Sequence, residues 1–184
     1  IISKQKGNNI TLAMYRSKTM SGEEGYVGET VAAVWEAYDA ELQKEKAVDF
    51  DDLLSLPVKI LKEHADVRHI LNNQWKYIHV DEYQDTNPIQ YELCKLLAGE
   101  SHNIAVVGDA DQTIYSWRGA NIKHILEFEH DFPGTEMVLL EQNYRSTGII
   151  IETANVIINK NVFRTKKTLF TEKDRGDKIT QFVG

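Results

Sequence analysis

An α/β fold on a mainly parallel sheet is predicted by two alternating patterns in the chain and by what ends one of them. Short apolar runs at 75–80, 103–107 and 137–140 read as buried strands, and stretches with apolar residues three and four apart separate them. Each run stops in a polar cluster: Asp81-Glu82, then Gly108-Asp109, then Glu141-Gln142-Asn143. In a parallel sheet such ends share one edge, where open α/β folds bind ligands.

The elements follow in order. Residues 1–28 are polar, with Gly22, Gly25 and Gly28 in an acidic stretch, and predict a loop. From Glu29 a flanking helical segment begins, with Val31, Val34, Trp35, Tyr38 and Leu42 on one face. Asp49 is placed as the N-cap of a second helix that turns Phe50, Leu53, Leu54, Ile60 and Leu61 inward, and Pro57 should kink or split it. Asp66 caps a short helix carrying Val67, Ile70 and Leu71. After the first strand, Asn87-Pro88 starts a helix with Ile89, Leu93, Leu96 and Leu97 buried, and Gly99 ends it. Asn121 opens a helix through Ile122, Ile125 and Leu126, and Phe132-Pro133-Gly134-Thr135 is a turn. Thr147 caps a helix through Ile150, Ala154, Ile157 and Ile158. Residues 160–178 form a basic loop, with Lys160, Arg164, Lys166 and Lys167 in solvent, and 179–183 a last strand.

At 184 residues the chain can bury one or two small cores. A net charge of −7 excludes a generally basic coat for nucleic acid but leaves room for a local basic groove. Cys94 is the only cysteine, so no internal disulfide forms, and a reducing cytoplasm is expected. No apolar run is long enough to span a membrane.

Chemistry concentrates at the strand ends. Asp81-Glu82-Tyr83-Gln84-Asp85-Thr86 puts two carboxylates at a sheet edge. One can hold Mg²⁺, mostly through water, and the other can accept a proton from an attacking water. That is the division of labour for hydrolysing a nucleoside triphosphate. The alternative is a solvated strand end followed by a helix cap. In the second segment, 108–120, Gly108 permits a sharp turn, and Gln112 suits a terminal phosphate or its attacking water. If the stretch is extended, Tyr115 and Trp117 point to one side and make a stacking platform for single-stranded bases, with Arg118 beside them. The alternative is two core aromatics. In the third segment, Arg145 can neutralise a transferring phosphoryl group and Tyr144 offers a flat face for adenine. The alternative is a surface Arg paired with a helix carboxylate.

These segments resemble, in order, motifs II, III and IV of the superfamily 1A DNA helicases, most closely the UvrD/PcrA/Rep group. The motifs are Asp81 to Asn87, Gly108 to Ala120, and Gln142-Asn143-Tyr144-Arg145-Ser146, with Val48 to Leu54 resembling the stretch before motif II. The resemblance implies a partial RecA-like motor domain at 48–139, the end of a helical 1B insertion at 1–47, and the start of a second RecA-like domain at 140–184. It implies ATP and Mg²⁺ as cofactors, with Asp81 on the metal and Glu82 activating water. Gln112 would contact the γ-phosphate, Tyr144 would stack on adenine, and Arg145 would be an arginine finger. Tyr115, Trp117 and Arg118 would touch single-stranded DNA. The partners implied are single-stranded DNA and duplex junctions, in DNA repair or replication, with 3′→5′ translocation.

No window fits Gly-x-x-x-x-Gly-Lys-Ser/Thr, the loop whose amides and Lys hold phosphates. The chain is therefore expected to be an internal piece of a helicase and to be inactive alone. The alternatives are a helicase subunit of a recombination nuclease complex and a non-catalytic nucleic-acid-binding module.

Overall fold

The computed structural model describes residues 1–23, 25–161 and 166–182. The chain forms two compact units: residues 1–109 with 113–125, and residues 110–112 with 126–184. Among the described residues, no helix is long and apolar enough to cross a membrane.

The first unit opens on two helices where a loop was expected, α1 (Ile2–Gly7) and α2 (Leu12–Met20). Their anchors are few and mostly tertiary. Thr11 caps α2 by accepting the Met14 N–H at 3.3 Å. Tyr15 turns into a core with Ala32 and Trp35 of α3 (Gly28–Lys44), its ring 5.8 Å from the indole. Ile2, Ile10, Leu12 and Val31 close round them. The buried face of α3 is thus narrower than its apolar pattern suggests, because Val34 and Tyr38 are exposed.

Lys6 of α1 is buried among carboxylates from elsewhere in the chain. Its Nζ lies 2.9 Å from Asp49 Oδ2, 2.8 Å from Asp52 Oδ1 and 3.6 Å from Asp39 Oδ1. Burial alone would depress the ammonium, but hydrogen bonds and charge from Asp52 and Asp49 outweigh it and hold Lys6 above its ordinary value.

Helix α4 (Asp52–Glu63) starts three residues after the expected cap, yet Asp49 still acts on it. Its carboxylate accepts the Asp52 N–H at 2.7 Å, and Asp52 accepts the Asp49 N–H at 3.3 Å. The helix passes through Pro57 unbroken, and it buries Val58 and Leu61 while Phe50, Leu53 and Ile60 face outward. Helix α5 (Ala65–Gln74) carries Asp66 in its first turn rather than at its cap, and its Ile70 is exposed. Helix α6 (Pro88–Ala98) starts and ends as predicted: Asn87 and Gln90 exchange side-chain-to-backbone bonds, with Pro88 at the first turn and Gly99 at the end. Of its expected buried face only Ile89 is buried, and Leu93, Leu96 and Leu97 are half-buried.

The sheet of the described residues has two parallel strands, β1 (Ile78–Val80) and β2 (Ile104–Val106), paired Ile78 with Ile104 through Val80 with Val106. Strand β1 is shorter than its apolar run, and Trp75 and Tyr77 before it are exposed.

In the second unit the short helices α7 (Lys123–Leu126, which begins in the first unit) and α8 (Phe128–Asp131) precede the predicted turn, where Gly134 takes φ +89° and the Thr135 N–H reaches the Phe132 carbonyl. The Asn121 side chain accepts the Lys123 N–H at 3.1 Å. Three expectations fail here. The 137–140 run is not a strand; its four apolar residues are exposed, and only Gln142 forms an isolated parallel bridge, with Phe170. A strand needs a partner for its backbone, and among the described residues none lies beside this run. The second concerns α9 (Gly148–Ile158), where Thr147 makes no side-chain cap. The Asp174 and Arg175 carbonyls accept the Gly148 and Ile149 N–H groups instead, both at 2.9 Å. Ile151 is the buried residue of α9, while Ile150, Ala154 and Ile157 are exposed. Residues 179–182 are not a strand, and Val183 and Arg164 lie outside the described residues.

Candidate active site

Two parallel strands that pair residue for residue must end together, so Asp81-Glu82 and Gly108-Asp109 emerge side by side. The Val107 N–H donates to Val80 O at 2.8 Å, and the Tyr83 N–H donates to Val107 O at 3.0 Å, which carries the pairing past both strands. Tyr83 is fully buried and pins the turn Tyr83–Asp85 beneath the acidic pair.

Asp81 and Glu82 are both exposed at this edge. Asp81 Oδ1 accepts the Glu82 N–H at 2.9 Å. Glu82 takes φ +50° and ψ +42°, a left-handed conformation that costs a residue with a Cβ about 1 kcal/mol. Gln84, only 1% exposed, lies beneath them. Its Nε2 donates to Glu82 Oε2 at 2.7 Å, and its Oε1 accepts the Asp109 N–H at 3.0 Å. Gly108 makes room for it: a Cβ there would stand 2.6 Å from Gln84 Oε1 and 2.9 Å from Ile125 Cδ1.

A second tie joins the end of this segment to the chain beyond Ala120. Thr86 Oγ1 donates to Tyr83 O at 2.8 Å, and buried His124 places Nδ1 3.2 Å from both Thr86 Oγ1 and Thr86 O. A carbonyl only accepts, so Nδ1 carries the proton. The His124 ring stacks on Tyr91 of α6 at 4.4 Å.

The 108–120 segment is not extended. It folds into turns at Ala110–Gln112 and Ser116–Arg118, so alternation does not place its aromatics. Tyr115 and Trp117 are neighbours nonetheless, with ring centroids 6.3 Å apart, and Trp117 is 72% exposed. Such an indole is not a core residue. The Arg118 side chain lies outside the described part of the structure.

Gln112, Tyr144 and Arg145 belong to the second unit, and all three are exposed. Asn143 Oδ1 accepts the N–H groups of Arg145 at 2.9 Å and Ser146 at 2.7 Å, so a side chain shapes this bend. Tyr144 Oη donates to Gln142 Oε1 at 2.8 Å, which leaves its ring face in solvent. Among the described residues the Arg145 guanidinium meets no carboxylate, contrary to the surface-pair alternative.

No group of three or more His, Cys, Asp or Glu among the described residues could hold a metal by itself. Mg²⁺ does not need one, because it keeps several waters and takes one or two carboxylates plus phosphate oxygens. Asp81 is a donor of that kind, so the residues present fit the ion.

Sequence reasoning passed over Gln84 and His124. Gln84 had a signal, being the one neutral polar side chain of its length inside an acidic hexapeptide; His124 had none.

Likeness to known proteins runs along most of the chain. The family described as the UvrD/REP helicase N-terminal domain matches residues 1–133. A protein of Leuconostoc citreum named ATP-dependent DNA helicase PcrA is 53% identical over 154 residues, covering 84% of this chain and 21% of that protein. Proteins of the same name from Bacillus subtilis (strain 168) and Staphylococcus aureus (strain Mu50 / ATCC 700699) are each 47% identical, over 160 and 154 residues. They are covered to 22% and 21%, against 87% and 84% of this chain, so the chain spans about a fifth of their length. The paired acidic and glycine-bearing strand ends thus lie inside a matched region that fills most of the sequence, and the chain belongs to the UvrD/REP helicase family.

Proposed function

We propose that these residues are the hydrolysing and strand-contacting part of an ATP-dependent DNA helicase that moves 3′→5′ along single-stranded DNA and opens duplex junctions. The observation that carries the reading is the adjacency of two strand ends, one bearing Asp81 and Glu82 and the other running from Gly108 into an exposed pair of aromatics. Asp81 holds Mg²⁺, which when bound neutralises phosphate charge. Glu82 takes the proton of the attacking water. Gln112 meets the γ-phosphate, Tyr144 stacks on adenine and Arg145 is the arginine finger. Tyr115, Trp117 and Arg118 carry the strand. In this reading residues 48–139 are the later part of a RecA-like motor domain 1A, 1–47 the end of insertion 1B and 140–184 the beginning of domain 2A, working in the cytoplasm.

The test is ATP hydrolysis by the full-length protein, with and without single-stranded DNA. Hydrolysis indifferent to DNA would turn the assignment toward a module without motor function. Trp117→Ala should weaken oligonucleotide binding by about 1–3 kcal/mol, read by fluorescence anisotropy. Undiminished affinity would remove Trp117 from the strand path. The 184-residue chain by itself should hydrolyse ATP no faster than buffer, since its sequence holds no phosphate-cradling loop. A steady rate that Glu82→Gln abolishes would contradict this.

A further inference from the structure

We infer that Gln84 is a positioning residue, which fixes the Glu82 carboxylate by one end of its amide and ties it to the Asp109 main chain by the other. The inference rests on the reading of Glu82 as the proton acceptor.

Glu82 needs such a support. It is exposed, it stands on a left-handed backbone, and a glutamate side chain in solvent samples several rotamers. A general base must instead stay within hydrogen-bond reach of one water. Among the described residues its carboxylate meets one side-chain partner, Gln84 Nε2, at 2.7 Å.

The network allows one amide orientation. Nε2 faces Glu82 Oε2 and, more distantly, Asp85 Oδ2 at 3.4 Å, while Oε1 faces the Asp109 N–H. A flipped amide would set an oxygen against two carboxylates and a donor against a donor. A glutamate would lose the donor toward Glu82. An apolar residue of the same length would leave the Glu82 carboxylate and the Asp109 N–H without this partner. A neutral amide is the side chain of this size that serves both ends.

Gly108 belongs to the same device. A Cβ there would meet Gln84 Oε1 at 2.6 Å and the Tyr83 backbone nitrogen at 3.2 Å, so the end of β2 is bare where the amide passes. Because Asp109 leads into the aromatic segment, displacement of its main chain pulls on the carboxylate through a single side chain. A supporting residue is expected to hold a reacting group to within about 0.5 Å.

Two substitutions in the full-length protein separate the two ends. Gln84→Met removes both bonds. Gln84→Glu keeps the acceptor for the Asp109 N–H and removes the donor for Glu82. Both should lower kcat for DNA-stimulated ATP hydrolysis on the order of 10²-fold, with KM for ATP and oligonucleotide affinity changed by less than about twofold. If Gln84 only plugs the space between the strand ends, Gln84→Met, which fills that space without either bond, keeps its kcat, and that overturns the proposal. A second readout needs no hydrolysis. In amide NMR spectra of the full-length protein, Glu82→Ala should shift the Gln84 side-chain NH₂ resonances, and Gln84→Met should shift the Asp109 amide. Unmoved resonances overturn the bridge. A parent protein without DNA-stimulated hydrolysis overturns the role of Glu82 itself, whereas a hydrolysing parent with an undiminished Gln84→Met variant overturns only the positioning.

Discussion

Glu82→Gln in the full-length protein should lower kcat for ATP hydrolysis by roughly 10²–10⁴-fold, the usual contribution of a positioned general base, and leave ATP and single-strand binding intact. The substitution is nearly isosteric. The new amide oxygen can still accept from Gln84 Nε2, whose partner distance is 2.7 Å in the parent, so the local geometry is kept. What disappears is the ability to take a proton. Stopped-flow phosphate release with excess ATP reads the effect, and equilibrium binding of a non-hydrolysable analogue checks the retained affinity. A loss under tenfold would mean that the proton goes elsewhere. Asp81→Asn should behave differently: it weakens the hold on Mg²⁺, so part of the lost rate returns as Mg²⁺ concentration is raised.

Lys6→Met should destabilise the first unit by about 3 kcal/mol, the low end for removing one member of a buried charge cluster. The Lys6 side chain is 6% exposed, and those of its closest partners, Asp49 and Asp52, are 18% and 15% exposed. Met fills much the same space, so the loss comes from carboxylates left without their cation. Arg16→Ala breaks the pair with Glu36, whose side chains are 42% and 58% exposed, and should cost under about 1 kcal/mol. Urea unfolding followed by tryptophan fluorescence measures both, because Trp35, Trp75 and Trp117 all lie in the first unit. Equal losses in the two variants would contradict the burial argument.

The pH dependence has a definite sign. Lys6 is raised in the fold, so its contribution is complete below the unfolded value of about 10.4 and fades as pH rises through the higher folded value. Burial pushes Asp49 up, but its bonds to Lys6 and to the Asp52 N–H prevail and lower it, so its contribution holds above about pH 4 and is lost as pH falls through the folded value. Asp39 runs the other way: burial, with Asp52 adding to it, raises it in spite of Lys6. On the acid side Asp39 therefore offsets part of what is lost at Asp49.

What could be read in advance was whatever a few neighbouring residues decide. Asn87, Pro88 and Gln90 contain the whole signal for the start of α6, and the turn at Gly134 is equally local. The first two helices were hidden because Lys6 is polar in sequence and buried only through Asp49 and Asp52, more than forty residues away. The 137–140 run was misread for the opposite reason, since its composition suits a strand but pairing needs a neighbour that periodicity does not report. Of the candidate site, Asp81, Glu82 and the aromatics were legible from residue type. The amide that joins Glu82 to Asp109 was not, because its function is a distance between two strand ends.

The left-handed backbone at position 82 has a bearing on descent. Glycine or asparagine would sit there at ease, whereas glutamate stands there against its own preference. If Glu82 is the proton acceptor proposed above, a gene copy released from hydrolysis would gain stability by drifting to either. Among homologues, the residue at this one site should tell living motors from retired ones.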